Sequence, residues 1–499
     1  MSHDHHPTPG LTREVAEFIV GIRRADVPDR AFQLAARGAL DGTAVMLAGC
    51  SEPATRIVQA YVQTLGAGGP CTVAGTHLTT SPAAAALANG VSSHAHDFDD
   101  TQISASPDHV YGLLTHPTAS IWAATLAAAE ATGASGEDTL MAYLVGIEVA
   151  CRLCDACSSF HYVRGFHTTQ TIAIFGTTAA AARLFGLTVE QVQCAIGLAS
   201  SMAAGIRLNF GTMAKPFHAG RAAESGVLAA MLAKQGMAAK PNTLEDPGGF
   251  FKTYAGHLDP CDPKLVGNPL WGYLETGTPG FDLDRIAGKF GREWYIESPG
   301  LSIKPFPSVV LSHPTMFALL DVLESHAIAA DDIDKIVVHA GSTVLNIMYR
   351  IPQTGTQGKF SLVFCLALIA LKRGATLSDF SDAFVRSEAA LAMMHRVQLL
   401  PAEDDGVARL DKMYSRVTVH TKDGRVVERV AGAYKGGPEN PLSDQELETK
   451  FMQCATQVLP EPQARRTLET VRQLPHLKSI KALSTTLAVP PSNQRSLHA

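Results

Sequence analysis

Residues 416–430 read RVTVHTKDGRVVERV, two runs of β-branched residues joined by Lys422-Asp423-Gly424. Alternation with period two is the strand signature, and an Asp-Gly step supplies the positive φ that a tight hairpin turn requires. This hairpin decides the fold class, because the chain on either side of it is helical in character. Upstream, the run IDKIVVH from Ile333 reads as another strand. Between the strands, 359–373 (KFSLVFCLALIALKR) and 377–397 carry apolar residues at helical spacing. Residues 301–435 are therefore expected to form a smaller α+β domain.

Working outward, the first 240 residues are rich in Ala and Leu and poor in strand signals. Ser81-Pro82 before AAAALANG predicts an N-cap followed by an N1 proline. Thr188 to Gln191 and Ser443 to Glu446 fit capping boxes. Segments 136–159, 168–186, 188–204 and 217–236 have helical periodicity, several of them Ala-rich on more than one face, as suits helices inside a bundle. After Gly436-Gly437-Pro438 the pattern is helical again to about residue 475, and the last fifteen residues read as a loose tail. The expected architecture is mostly α: a large all-helical domain made from both chain ends (1–300 and 436–499), with the 301–435 α+β domain inserted as a lid. A cleft between two such units is a favoured ligand site.

The chain has 499 residues, of which 46% are hydrophobic and 18% charged, so it can bury a large core. Its formal net charge is −6, and no block of like charges occurs. That argues against a nucleic-acid surface or a polybasic membrane patch. No uncharged apolar run reaches the ~18 residues of a membrane span. Met1 to Gly10 is His-rich and lacks an apolar signal segment. Nine cysteines in so long a chain do not suggest a disulfide scaffold. A cytoplasmic location is expected.

The densest chemistry lies in Ser93 to Thr101 (SHAHDFDDT) and in Thr115-His116-Pro117. If 94–101 closes a helix, Asp97 and Thr101 share a face, with Asp100 nearby. His116 would stand at a helix start, where the positive helix end favours the neutral imidazole that relays protons near pH 7. A metal pair at His94 and His96 needs a strand, and in a helix these two side chains diverge, so no metal is expected. His167, in Gly165-Phe166-His167-Thr168-Thr169, again precedes an apolar helix; its bland reading is a satisfied core histidine. Lys215 lies in MAKPFHAG and Lys304 in SIKPFPS. A lysine in so apolar a setting requires an anion, and two of them suit the carboxylates of a small acid. Glu224 or a solvent exit is the plain alternative for Lys215. His313 and Tyr349 are weaker single-residue candidates. Cys151, Cys154 and Cys157 form C-x-x-C-x-x-C, but on a straight helix they cannot converge on a cluster, so buried structural cysteine is expected. Dinucleotide, Walker and nucleophile-elbow motifs are not found.

The motifs HAHDFDDT, THPTASIW, GFHTTQTIAIFG, AKPFHAGRAAESG, IKPFPSVVLSHP and GKFSLVFCLAL occur in the order of the MmgE/PrpD family, which this chain resembles from about residue 11 to 475. The resemblance implies a helical domain built from both ends, an α+β lid, a homodimer and no metal or organic cofactor. It implies a lyase acting on a di- or tricarboxylate, 2-methylcitrate dehydratase-like or cis-aconitate decarboxylase-like. The alternatives are an isomerase of an iminodisuccinate-like acid and a non-catalytic binding protein. Carried over residue by residue, it implies His116, His167, Asp97 and Tyr349 as catalytic groups, with Asp97 orienting a histidine. Lys215, Lys304, Thr101 and His313 would bind substrate, the two lysines gripping its carboxylates from both lobes. The chain departs at Val309, where decarboxylase-like members carry a histidine, and in a longer stretch from Gln102 to Leu114.

Overall fold

The computed structural model describes residues 10–66, 68–106, 109–157, 160–256, 280–345, 347–402 and 415–489. Three helices open the fold, α1 (Leu11–Gly21), α2 (Asp29–Gly49) and α3 (Pro53–Thr64). Two small antiparallel pairs follow, β1 (Cys71–Thr72) with β2 (Thr79–Thr80), and, after α4 (Pro82–His94), β3 (Gln102–Ser106) with β4 (His109–Thr115). Then come α5 (Pro117–Thr132), α6 (Gly136–Ala156), α7 (Ala173–Leu184), α8 (Val189–Met202) and α9 (Ala214–Lys234). The caps follow the sequence logic: the Ser81 hydroxyl accepts from Ala84 N, and Thr188 and Gln191 form a reciprocal capping box. Nearly every residue of α5 from Pro117 to Glu130 is buried, as befits a helix apolar on all faces.

The second unit is built around a mixed sheet of β5 (Ile333–Ala340), β6 (Val397–Pro401), β7 (Ser415–Thr421) and β8 (Val426–Val430), in the order β6-β5-β7-β8. Strands β5 and β6 are parallel; β7 runs antiparallel to β5 and β8. Inward residues alternate along β7, and Gly424 takes φ +90° at the turn, so the quoted hairpin forms as its spacing predicts. Helices α10 (His313–Ser325) and α11 (Leu362–Lys372) cover the sheet.

Two large apolar cores result. One gathers residues between Leu11 and Ile296 together with Leu442 to Val489, which includes α12 (Asp444–Ala455) and α13 (Glu461–Arg472). The other runs from Phe306 to Ala431. The C-terminal helices thus pack on the N-terminal bundle.

Several local readings need correction. The helical unit is not all α, since β1–β4 lie within it. Helix α4 ends at His94, because Asp97 takes φ +53°, a left-handed conformation that an aspartate tolerates and a helix does not. Asp97 and Thr101 therefore do not share a helix face. Thr115 closes β4, and His116 itself is the N-cap residue of α5. The predicted helix over 168–186 breaks at Ile172. The one predicted over 377–397 divides into short turns because the Ser381 and Ser387 hydroxyls recap the chain, and it gives way to strand β6. Of the expected loose tail, residues 485–487 complete a helix (Lys481–Leu487), and 490–499 lie outside the described residues.

Candidate active site

Close packing of two antiparallel helices brings the charged residues together. A Cβ on Gly90 of α4 would stand 2.8 Å from the Gly220 Cα of α9. With a glycine from each helix at the crossing, the C-terminal end of α4 (His94) meets the N-terminal end of α9 (Lys215). The Lys215 ammonium donates to Asp97 Oδ1 at 2.5 Å and to His94 Nε2 at 2.8 Å. Since that nitrogen accepts, His94 carries its proton on Nδ1, which donates to Asp99 at 2.9 Å. Burial holds the His94 pKa down at about 4, so its imidazole is neutral.

His116 is oriented by the same loop. Its Nδ1 donates to the Asp100 carbonyl at 2.9 Å and lies 3.2 Å from Asp99 Oδ2, which leaves Nε2 as the free lone pair. Burial, then Lys304 and Lys215, push the His116 pKa below its ordinary value. Asp100 anchors the loop to α5, accepting from Thr118 N at 3.1 Å and the Thr118 hydroxyl at 2.5 Å. Burial raises its pKa to about 8. Burial also works against the charge on Asp97 and Asp99. Lys215 and Lys304 nevertheless keep Asp97 well below the carboxylate range, and the two imidazoles do the same for Asp99.

A pocket opens between the two cores. Asp97, His116, Lys215, Tyr162, Arg207 and Phe210 line its polar side, and Leu114, Val309, Val310, Leu311 and Ile347 its apolar side. The Arg207 guanidinium carbon stands over the Tyr162 ring, 3.7 Å from its centre. Asp97 and Leu114 both hold positive φ, and both face this pocket. Strained backbone of this kind clusters at functional sites.

Placement differs among the sequence candidates. His116, Asp97 and Lys215 converge on the pocket. Lys304 is fully buried behind Asp97, its ammonium held by Asp97 Oδ2 at 3.1 Å and by the Asp97 carbonyl at 2.8 Å. The lysines therefore grip Asp97 rather than standing on opposite sides of an open cleft. Asp97 does not orient a histidine: its Oδ1 is 3.9 Å from His116 Nε2, and Asp99 with the Asp100 carbonyl sets that ring. His167 is buried with its Nδ1 against His218 Nδ1 at 2.9 Å, and its Nε2 has no hydrogen-bond partner among the described residues. Thr101 donates its hydroxyl to the Thr115 carbonyl and joins Ser302 through its backbone. His313 is a core residue that contacts Ser308, and burial holds its pKa down at about 3. Tyr349 is half-buried, and its hydroxyl fills the space beside Gly211.

Two motif readings meet their geometry here. His94 and His96 diverge as expected, His96 turning to the Ala48 carbonyl and to Lys359. Yet His94, Asp97, Asp99 and His116 set one ligand atom each within 4.8 Å of one another, a donor set of the kind that holds a divalent ion. Lys215 already stands against His94 and Asp97, so an ammonium brings the positive charge that such a set attracts, and a second cation there would be repelled. The three cysteines are buried in α6 and at its end, with burial raising each pKa; Cys154 meets the Thr115 hydroxyl at 2.8 Å. Sequence reasoning missed the roles of Asp99, Tyr162, Arg207 and Lys359. Asp99 meets His94 just five residues away, whereas Arg207 reaches Tyr162 and Lys359 reaches His96 only through the fold.

Residues 13–261 match the MmgE/PrpD N-terminal domain and residues 306–476 the MmgE/PrpD C-terminal domain. The chain is 27% identical to human cis-aconitate decarboxylase over 493 residues, covering 96% of this chain and 95% of that protein. It is 24% identical to a cis-aconitate decarboxylase-like protein of Aspergillus oryzae, covering 94% and 96%. Cis-aconitate decarboxylase of Aspergillus terreus is 29% identical over 288 residues, 56% of this chain and 57% of that protein. Matched through both of its domains and along nearly its whole length, this chain belongs to the MmgE/PrpD family.

Proposed function

We propose that this protein is a lyase that acts on a small di- or tricarboxylate by proton transfer at a carbon next to a carboxylate. One observation carries the reading: His116 Nε2, its ring fixed from behind by Asp99 and the Asp100 carbonyl, faces a pocket that it shares with Lys215 and Arg207. The two cations take the substrate carboxylate, and Lys215 stabilises the enolate-like charge that develops beside it. In a hydro-lyase course, the neutral imidazole removes the α-proton and, as imidazolium, returns it to the β-hydroxyl, which departs as water. In a carboxy-lyase course, a carboxylate leaves as carbon dioxide and its electron pair passes into the conjugated acid. A proton from the imidazolium then closes the reaction. Substrate anions arriving beside His116 raise its proton affinity and so make that second course available. The names of the relatives make a cis-aconitate-like acid the first substrate to test.

An epimerase needs two bases on opposite faces of the substrate. Among the described residues, His116 is the histidine that lines the pocket, whereas His167 lies behind it, so the lyase is preferred. The same reading includes a homodimer. Exposed Ile57, Tyr61, Met213 and Phe217 border one apolar groove, a face suited to a second copy; sedimentation at a dimer's mass is the expected result.

The test is a panel of di- and tricarboxylates incubated with chelator-treated protein, with products read by mass. Loss of carbon dioxide or water is the expected result. Unchanged mass with an inverted centre favours the epimerase. Thermal stabilisation by these acids without turnover favours a binding protein.

A further inference from the structure

A second cavity reaches the same charged cluster from the other side. It encloses about 490 Å³, against about 90 Å³ for the pocket beside His116. Asp97, Lys215 and Phe360 line both. The second cavity adds Lys359, whose carbonyl accepts from Val309 N in the wall of the first. The Lys359 side chain is 6% exposed, and its ammonium donates to His96 Nδ1 at 3.0 Å. His96 donates its Nε2 proton to the Ala48 carbonyl, and burial keeps its imidazole neutral. No carboxylate of the described residues lies within ion-pair distance of Lys359. Glu52, which also lines this cavity, stands on the far side of His96, 3.7 Å from its Nε2. Asp382, on the cavity wall, accepts from Gly355 N and lies near Arg386.

A nearly desolvated ammonium with one neutral acceptor is costly, and the cost is relieved by an anion. Burial lowers the Lys359 pKa to about 8, against the opposing pull of Glu52 and Asp97 and with smaller help from Lys215 and Lys304. Lys304 cannot supply this contact, being enclosed behind Asp97. We propose that Lys359 is the second carboxylate-binding cation of the site, seating the distal carboxylate of a tricarboxylate whose reacting end lies between Lys215 and His116. The proposal rests on the polycarboxylate reading above and extends it to the length of the substrate: the first pocket holds the reacting carbon, and the second selects for a further acidic arm.

Calorimetric titration with unreactive acids separates the two claims. Tricarballylate and succinate are titrated into the wild-type protein, Lys359→Gln, Lys215→Gln and His96→Ala. The expected result is that wild type binds both and that Lys359→Gln loses about ten- to hundredfold in tricarballylate affinity, as for a lost charge-assisted hydrogen bond, while succinate affinity holds. Lys215→Gln weakens both acids. His96→Ala, which removes the internal partner of Lys359, leaves tricarballylate affinity near wild type. Equal loss of both acids in Lys359→Gln, no loss of either, or the same selective loss in His96→Ala overturns the proposal and leaves the lyase reading standing. Binding of neither acid by the wild type overturns the polycarboxylate reading and this proposal with it.

Discussion

His116 keeps its Nε2 lone pair because the Asp100 carbonyl and the Asp99 carboxylate claim its Nδ1 proton, and burial with two lysines disfavours a second one. Replacing it with Gln removes the base and is expected to lower kcat/KM by about 10²–10⁴-fold, measured on whichever acid of the panel turns over. The pH profile follows from the depressed pKa. Neutral imidazole persists below pH 6.5, so the acid limb of a hydro-lyase falls on the acidic side of ordinary histidine. Asp99 raises the proton affinity of His116. Asp99→Asn should therefore move that limb to still lower pH, besides lowering the rate through a less well held ring. A limb that stays in place would show that Asp99 does not act through His116. Much of this cluster was visible in HAHDFDDT and THPT as residue types, but the assignment of partners was not. Asp97 and Asp99 have the same side chain and differ in role because Asp97 takes positive φ toward the lysines.

At the scale of elements, the site depends on how closely α4 and α9 approach. A Cβ on Gly220 would stand 2.5 Å from Val91 Cγ2 and 2.6 Å from the Leu87 carbonyl, and a main-chain oxygen cannot yield as a side-chain tip does. Gly220→Val is expected to cost about 1–3 kcal/mol in urea unfolding, the usual range for overpacking. It should also weaken acid binding, because it pushes Lys215 away from His94 and Asp97. A folded variant with unchanged acid affinity would refute the link between the helix crossing and the lysine. The helices themselves were legible from caps and apolar spacing. The breaks at Ile172 and Ser381 were not; at Ser381 a hydroxyl that recaps the chain competes with a periodicity that runs straight through it.

Across the whole molecule, the C-terminal return holds the loop that carries Asp97 and Asp99. Lys450 of α12 pairs with Asp41 of α2 at 2.6 Å and donates to the Phe98 carbonyl at 2.8 Å, between Asp97 and Asp99. All of this is buried, so Lys450→Met leaves the Asp41 carboxylate alone and should cost about 3–5 kcal/mol in chemical denaturation. Asp41→Asn together with Lys450→Met should recover part of that loss. Buried histidines set the pH response of stability. The folded-state pKa is about 4 for His94 and His161 and about 3 for His313, below the ~6.5 of an unfolded chain. The unfolded state then binds more protons, so stability is full above pH 6.5 and falls as pH drops through 6 to 4. Thermal melts across that range should show Tm declining steadily. A flat profile would mean that these imidazoles are protonated in the folded protein.

The amino-acid sequence determined what depends on near neighbours: the period-two hairpin at 416–430, the capped Ala-rich helices, and the motifs that identify the family. Tertiary structure alone decided which charges face a ligand and which face each other. Lys215 and Lys304 sit in nearly the same Lys-Pro-Phe setting, yet one lines a pocket and the other is sealed behind Asp97, 207 residues away in the chain. Burial and the distances between charges set protonation and ligand affinity, and both arise from contacts that no local spacing records.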